Sequence, residues 1–199
     1  MISPVQYGVG ARFTLSVYDD NYVKIILDAL GAADASDLTI ETNDISTFIG
    51  GSEQRIMEYL REVIAHAAAT GVHLSAQILL SRGCPGELQC ELPAGVSAIG
   101  GDAVRLAPAG VRARAHWSLY PLLDGGATGE HMTGIYEAVE IARTAGVYAR
   151  SDHYATLLDG DLADVLATVA SAWLLVGKQV QHVTTHVTIS INSPTQISD

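Results

Sequence analysis

The sequence predicts an α+β fold in which one ferredoxin-like βαββαβ unit, with an antiparallel sheet, occurs twice in tandem. Two observations carry this. Residues recur at fixed separations: Ala11, Arg12, Ser16 and Tyr18 reappear as Ala113, Arg114, Ser118 and Tyr120, an offset of 102 residues. Thr47, Gly51, His73, Ser81 and Pro85 reappear as Thr156, Gly160, His182, Ser190 and Pro194, now offset by 109. A constant offset over such a span marks an internal repeat. The hydrophobic pattern, moreover, passes through the same six periods in each copy. The change of offset is an insertion at 124–131 (DGGATGEH), where a loop is expected.

In the first copy Phe13, Leu15 and Val17 alternate with polar residues, which predicts a strand with one buried face. Val23, Ile26, Leu27 and Leu30 share one helical stripe. Leu38 and Ile40 open a second strand, and Asn43-Asp44 stands where a hairpin would turn into a third at 45–49. Ser52 is a candidate cap for a helix that buries Ile56, Leu60, Val63, Ile64 and Ala67. Val72, Leu74, Ala76, Ile78 and Leu80 give the last strand. The second copy repeats this with a strand at 113–119, a stripe of Met132, Ile135, Val139 and Ala142, and strands at 147–150 and 154–158. An Asp161-capped helix and an alternating strand from Val183 to Ile191 complete it. A Gly/Pro/Ala-rich joint at 86–111 divides the chain into a first repeat at 1–90 and, with the joint, a second at 91–199.

One sheet face in each copy is polar without being charged: Thr14, Ser16, Tyr18, Ser75 and Gln77 in the first, His116, Ser118, Tyr120, Thr184, His186 and Thr188 in the second. Such a face is expected to meet another sheet, from the other copy or from a second chain. The net charge of -11, with only eleven Lys and Arg, argues against nucleic acid as a partner. No apolar run is long enough to enter a membrane. The first residues show neither the basic nor the apolar region of a secretory leader, and Cys84 and Cys90 make no disulfide framework. A reducing cytoplasm is the expected compartment.

His182 and His186 have metal-ligand spacing only on a helix. HVTTHVTIS alternates as a strand, which separates the rings by about 13 Å, so no metal site is expected. Cys84, in RGCPGE near Arg82, could be a reactive thiol or part of a turn; its counterpart Ser193 favours the turn. No nucleophile elbow, HExxH or P-loop is present.

What remains is a binding constellation. Tyr18 and Tyr120 end equivalent strands, with Ser16 and Ser118 beside them. Asn43-Asp44 and Asp152-His153 occupy equivalent hairpins, and Thr47 and Thr156 lie on the strands that follow. Aromatic rings stack on a heterocycle, and Asp or Asn accepts hydrogen bonds from an exocyclic amine. The same residues also serve as plain turn formers and packing groups, and the chemistry alone leaves the two readings level.

At these residues the chain resembles the YkoF-type thiamine/hydroxymethylpyrimidine-binding family. The resemblance runs from ARFTLSVYDD through NDISTFIGGS and RGCPGE to SDHYATLLDGD and ISINSP. It implies tandem ferredoxin-like units, a homodimer, and binding of thiamine or its pyrimidine precursor without catalysis or a cofactor. It also implies service to vitamin uptake or salvage alongside transport components. In the family pattern the first hairpin carries Asp-His, where this chain has Asn43-Asp44. A small-molecule-sensing regulatory module of the same fold is the alternative, and an enzyme using Cys84 or the His/Asp pair a third reading.

Overall fold

The computed structural model describes residues 3–84, 101–122 and 131–195. The expected insertion loop up to residue 130, the first part of the joint and Cys90 lie outside them. The elements run β1 (Gly10–Val17), α1 (Tyr22–Ala32), β2 (Thr39–Thr42), β3 (Thr47–Gly50), α2 (Glu53–Ala68) and β4 (Leu74–Arg82). The second round is β5 (Arg112–Leu122), α3 (His131–Thr144), β6 (Tyr148–Asp152), β7 (Ala155–Asp161), α4 (Leu162–Val176) and β8 (His182–Ile191). This is βαββαβ twice, with antiparallel strands throughout.

The two repeats do not stack face to face. They join edge to edge through β4 and β8, giving one eight-stranded sheet in the order β2-β3-β1-β4-β8-β5-β7-β6. Of the two covers expected for the polar face, this excludes the other copy and leaves a second chain. The seam register explains the choice. Ile78 pairs with Val187, its own counterpart, and Leu74 pairs with Ile191 as Arg82 pairs with Val183. The seam is thus self-complementary about a pseudo-twofold axis, as in a symmetric dimer. It satisfies the backbone of two edge strands that would otherwise stay open. His73 Nε2 meets Ser190 Oγ at 3.3 Å and His182 Nε2 meets Ser81 Oγ at 3.4 Å, which repeats the symmetry in side chains.

All four helices cover one face, and one buried cluster runs beneath both repeats. Helix α4 buries Leu162, Val165, Leu166, Val169, Trp173 and Val176, each worth roughly 1.5–3 kcal/mol. Ser52 and Asp161, 109 apart, cap α2 and α4 by accepting from the backbone N–H groups of Arg55 and Ala163. The recurring glycines before these caps have a packing cause. A Cβ on Gly51 would meet Leu38, and one on Gly160 would meet Val147, at 2.5 and 2.8 Å. The described part of the joint is strapped to α2 by paired hydrogen bonds between Gln54 and the Arg105 backbone, 2.7 and 2.9 Å. Cys84, just beyond β4, is disulfide-bonded, which corrects the expectation of unpaired cysteines and removes it as a thiolate nucleophile.

Candidate functional site

Each repeat has a cavity between its outer helix, its first strand and its hairpin. In the second repeat it measures about 490 Å³, within the roughly 300–1,000 Å³ range of small-molecule sites. In the first it measures about 230 Å³, below that range. The linings share several equivalent positions: Ile26 and Leu30 of α1 correspond to Ile135 and Val139 of α3, Leu15 to Trp117 and Thr47 to Thr156.

The expected site residues divide. Ser118, Tyr120, Asp152 and Thr156 come together around the second cavity. Asn43, Asp44 and Thr47 line the first, but Ser16 and Tyr18 do not. Tyr18 instead stacks on His73, centroids 4.6 Å apart and planes at 18°. His153 is exposed and lies tilted beside Tyr154, outside the lining.

The hairpins differ in length, which explains much of this. Between β2 and β3 four residues turn the chain, since Thr42 pairs with Thr47. Asn43 organises that loop, its Oδ1 accepting from the N–H groups of Ile45 and Ser46, both at 2.9 Å. Between β6 and β7 only His153 and Tyr154 turn, because Asp152 pairs with Ala155. Asp152 is thereby lifted out of the turn and into the ladder. Its carboxylate accepts from Arg150 Nε at 2.9 Å and faces His116 Nε2 at 3.2 Å, so the hydrogen must sit on that nitrogen. The Arg150 hydrogen bond, then that of His116, holds the Asp152 pKa below the ordinary carboxylate value. It stays ionised at neutral pH.

The tight turn also forces Tyr154 into left-handed backbone, φ 64°, with its ring almost fully exposed and its carbonyl accepting from Ser118 Oγ at 2.8 Å. A tyrosine there is strained, and such strain concentrates at functional positions. Tyr136 on α3, 65% exposed, stands at the same cavity. Their counterparts in the first repeat are Leu27 and Ile45. The floor differs as well. Buried Trp117 donates from Nε1 to Thr185 Oγ1 at 2.7 Å, and Thr185 donates on to the Ser118 carbonyl. The corresponding residues are Leu15 and Ala76.

Sequence reasoning missed the contribution of α3, because Ile135 and Val139 sit in an apolar stripe that looks like core and exposed Tyr136 stands beside that stripe. It also missed Tyr154, whose place at the start of an expected strand hid its turn conformation. Among the described residues no group of acidic, histidine or cysteine side chains could hold a metal ion, and no helix is long and apolar enough to cross a membrane.

Comparison with known proteins bears on the same elements. A family model described as the YKOF-related family matches residues 8–87 and 112–196, one match to each repeat. The Bacillus subtilis (strain 168) protein named "Putative HMP/thiamine-binding protein YkoF" is 34% identical over 191 residues, spanning 94% of this chain and 92% of that protein. With both repeats matched at that coverage, the chain belongs to the YKOF-related family.

Proposed function

We propose that this chain binds thiamine or its hydroxymethylpyrimidine precursor, without converting it and without a cofactor, and that the cavity of the second repeat is the stronger site. One observation carries the reading: a cavity of about 490 Å³ whose lining joins three tyrosines to an ionised carboxylate. A flat aminopyrimidine stacks on Tyr136 or Tyr154, its exocyclic amine donates to Asp152, and the thiazolium cation of thiamine is drawn to the same charge. The name of the Bacillus relative supports the ligand class.

The uncovered sheet face bears exposed Leu79, Tyr120 and Leu122. A second copy laid over it would make a homodimer that serves vitamin uptake or salvage beside transport components. The cytoplasmic location expected from the sequence is opposed by the Cys84 disulfide, since cytosolic thiols are held reduced. Thiol counting on the chain from cells decides between them.

Calorimetric titration of the full chain with thiamine and with hydroxymethylpyrimidine tests the function. The expected result is saturable heat with two unequal classes of site, and ligand recovered chemically unchanged. Absence of binding by either compound, or its conversion to product, would refute the proposal.

A further inference from the structure

Three donors converge on the Asp152 carboxylate at the hairpin of the second repeat. Arg150, two residues earlier on β6, donates from Nε to Oδ1 at 2.9 Å and from Nη2 to Oδ2 at 3.3 Å. His116 of β5 meets Oδ2 at 3.2 Å. A carboxylate offers about four lone-pair positions. Among the described residues both positions on Oδ2 and one on Oδ1 are taken, which leaves one on Oδ1 for a further donor.

The same three positions in the first repeat build a turn instead. Glu41 stands for Arg150, Asn43 for Asp152 and Thr14 for His116. Asn43 accepts from its own loop, and Thr14 Oγ1 donates to the Ile45 carbonyl at 3.1 Å. The backbone differs as well. β2 pairs with β3 in unbroken register, whereas the register of β6 against β7 shifts between Tyr148 and Arg150. Such a bulge re-aims the side chains beside it. Here Tyr148 pairs with Leu158, while Arg150 and His116 both pair with Leu157, one from each side, and so share a face of the sheet. Stability does not explain the arrangement. The Arg150 side chain is 57% exposed, and an ion pair so open to water adds little.

We propose that Arg150 is a positioning and specificity-determining residue of the second cavity. It fixes the Asp152 carboxylate so that one Oδ1 lone pair is left for an exocyclic amine, and its charge shifts preference from cationic thiamine toward neutral hydroxymethylpyrimidine. This rests on the reading of the cavity given above. The planar guanidinium fork sets the plane of the carboxylate before a ligand arrives, so less ordering is left to binding. A thiazolium is still drawn to Asp152, but the guanidinium beside that carboxylate offsets part of the attraction. The other charged residues of the lining, Glu140 and Arg143, pair with each other at 3.1 Å.

The test is an NMR titration of the full chain with hydroxymethylpyrimidine, and in parallel with thiamine, followed at the amides of Ser118, Ala155 and Thr156 beside the second cavity. Arg150→Gln should weaken hydroxymethylpyrimidine about three- to tenfold, the share of one hydrogen bond. Thiamine should lose less, because the same change removes a positive charge near its thiazolium, so the ratio of the two affinities moves toward thiamine. Arg150→Lys, which keeps the charge without the fork, should weaken both ligands alike. In an Asp152→Ala background Arg150→Gln should have no further effect on hydroxymethylpyrimidine, since Arg150 acts through that carboxylate. A merely structural loss would instead lower both affinities in proportion and persist without Asp152. Hydroxymethylpyrimidine binding that Arg150→Gln leaves unchanged, or weakens no more than thiamine binding, would overturn the proposal and leave the cavity a thiamine site. An unaltered chain that binds neither compound would overturn the reading of the cavity and this proposal with it.

Discussion

The two hairpin cavities share a backbone plan and differ in what was placed on it. Around the first, Leu15 and Ile45 supply aliphatic walls, exposed Leu27 stands at the position of Tyr136 outside the lining, and Asn43 spends its side chain on its own turn. Around the second, Trp117, Tyr136 and Tyr154 hold the same positions, and Asp152 has been freed from turn-making by a hairpin two residues tighter. Duplication thus kept the scaffold and let the hairpin length decide whether a polar side chain is spent on its own turn or left at the cavity. The difference predicts one strong and one weak site.

The largest effect should come from the floor. Trp117→Ala removes a buried ring and leaves Thr185 without its donor, and should cost about 3–5 kcal/mol in urea denaturation. Leu15→Ala, at the same place in the first repeat, should cost less, because no hydrogen bond is lost with it. Equal costs would mean that the Trp117–Thr185 network adds nothing.

Next is the carboxylate. Asp152→Ala should weaken the stronger class of thiamine site by one to two decades and leave the weaker class nearly unchanged. Asp44→Ala should affect only the weaker class. An isotherm that neither change alters would remove the hairpins from the site.

Much of this architecture was legible in the sequence, because strands and helices announce themselves through periodicity and caps through Ser52 and Asp161. The edge-to-edge seam was not. Strand pairing runs through backbone groups, so nothing in the side-chain pattern of Leu74–Arg82 says which edge its outer side will meet. The site was half legible. Residues such as Asp152 stand out as polar groups at a hairpin, whereas α3 shows only the stripe that any packed helix shows. Tyr154 was hidden for a third reason: its role depends on a positive φ that no residue type other than glycine advertises.

The aromatic walls offer a direct exchange between the repeats. Tyr136→Leu with Tyr154→Ile gives the second cavity the walls of the first. Loss of ring stacking is worth about 0.5–1.5 kcal/mol, a weakening of roughly two- to tenfold for thiamine. The reverse exchange, Leu27→Tyr with Ile45→Tyr, should gain less, since the first cavity is also smaller. Unchanged affinity in the first double variant would show that the rings are not the stacking surface.

The smallest difference lies in the helix caps, and it can be read through pH. Ser52 and Asp161 occupy the same position, but only Asp161 titrates, and only it also accepts from the joint, at Ala109 and Gly110. Burial by itself would raise the Asp161 pKa. The N–H groups of Ala109, Ala163, Gly110 and Val111 together outweigh that and set it below the ordinary value. A carboxyl whose pKa is lower folded than unfolded adds stability above its unfolded pKa, about 3.9, and loses it as pH falls through the folded value. Asp161→Ser, which copies the cap of the first repeat, should therefore cost about 1 kcal/mol at pH 7. That cost should narrow below about pH 4 as the wild-type carboxylate takes up its proton. Ser52→Ala should cost a similar amount with no such pH dependence. Urea denaturation of the three proteins at neutral and acidic pH measures the gap. An Asp161→Ser cost that stays constant with pH would mean that the carboxylate caps α4 through geometry alone and that its charge contributes nothing to holding the joint.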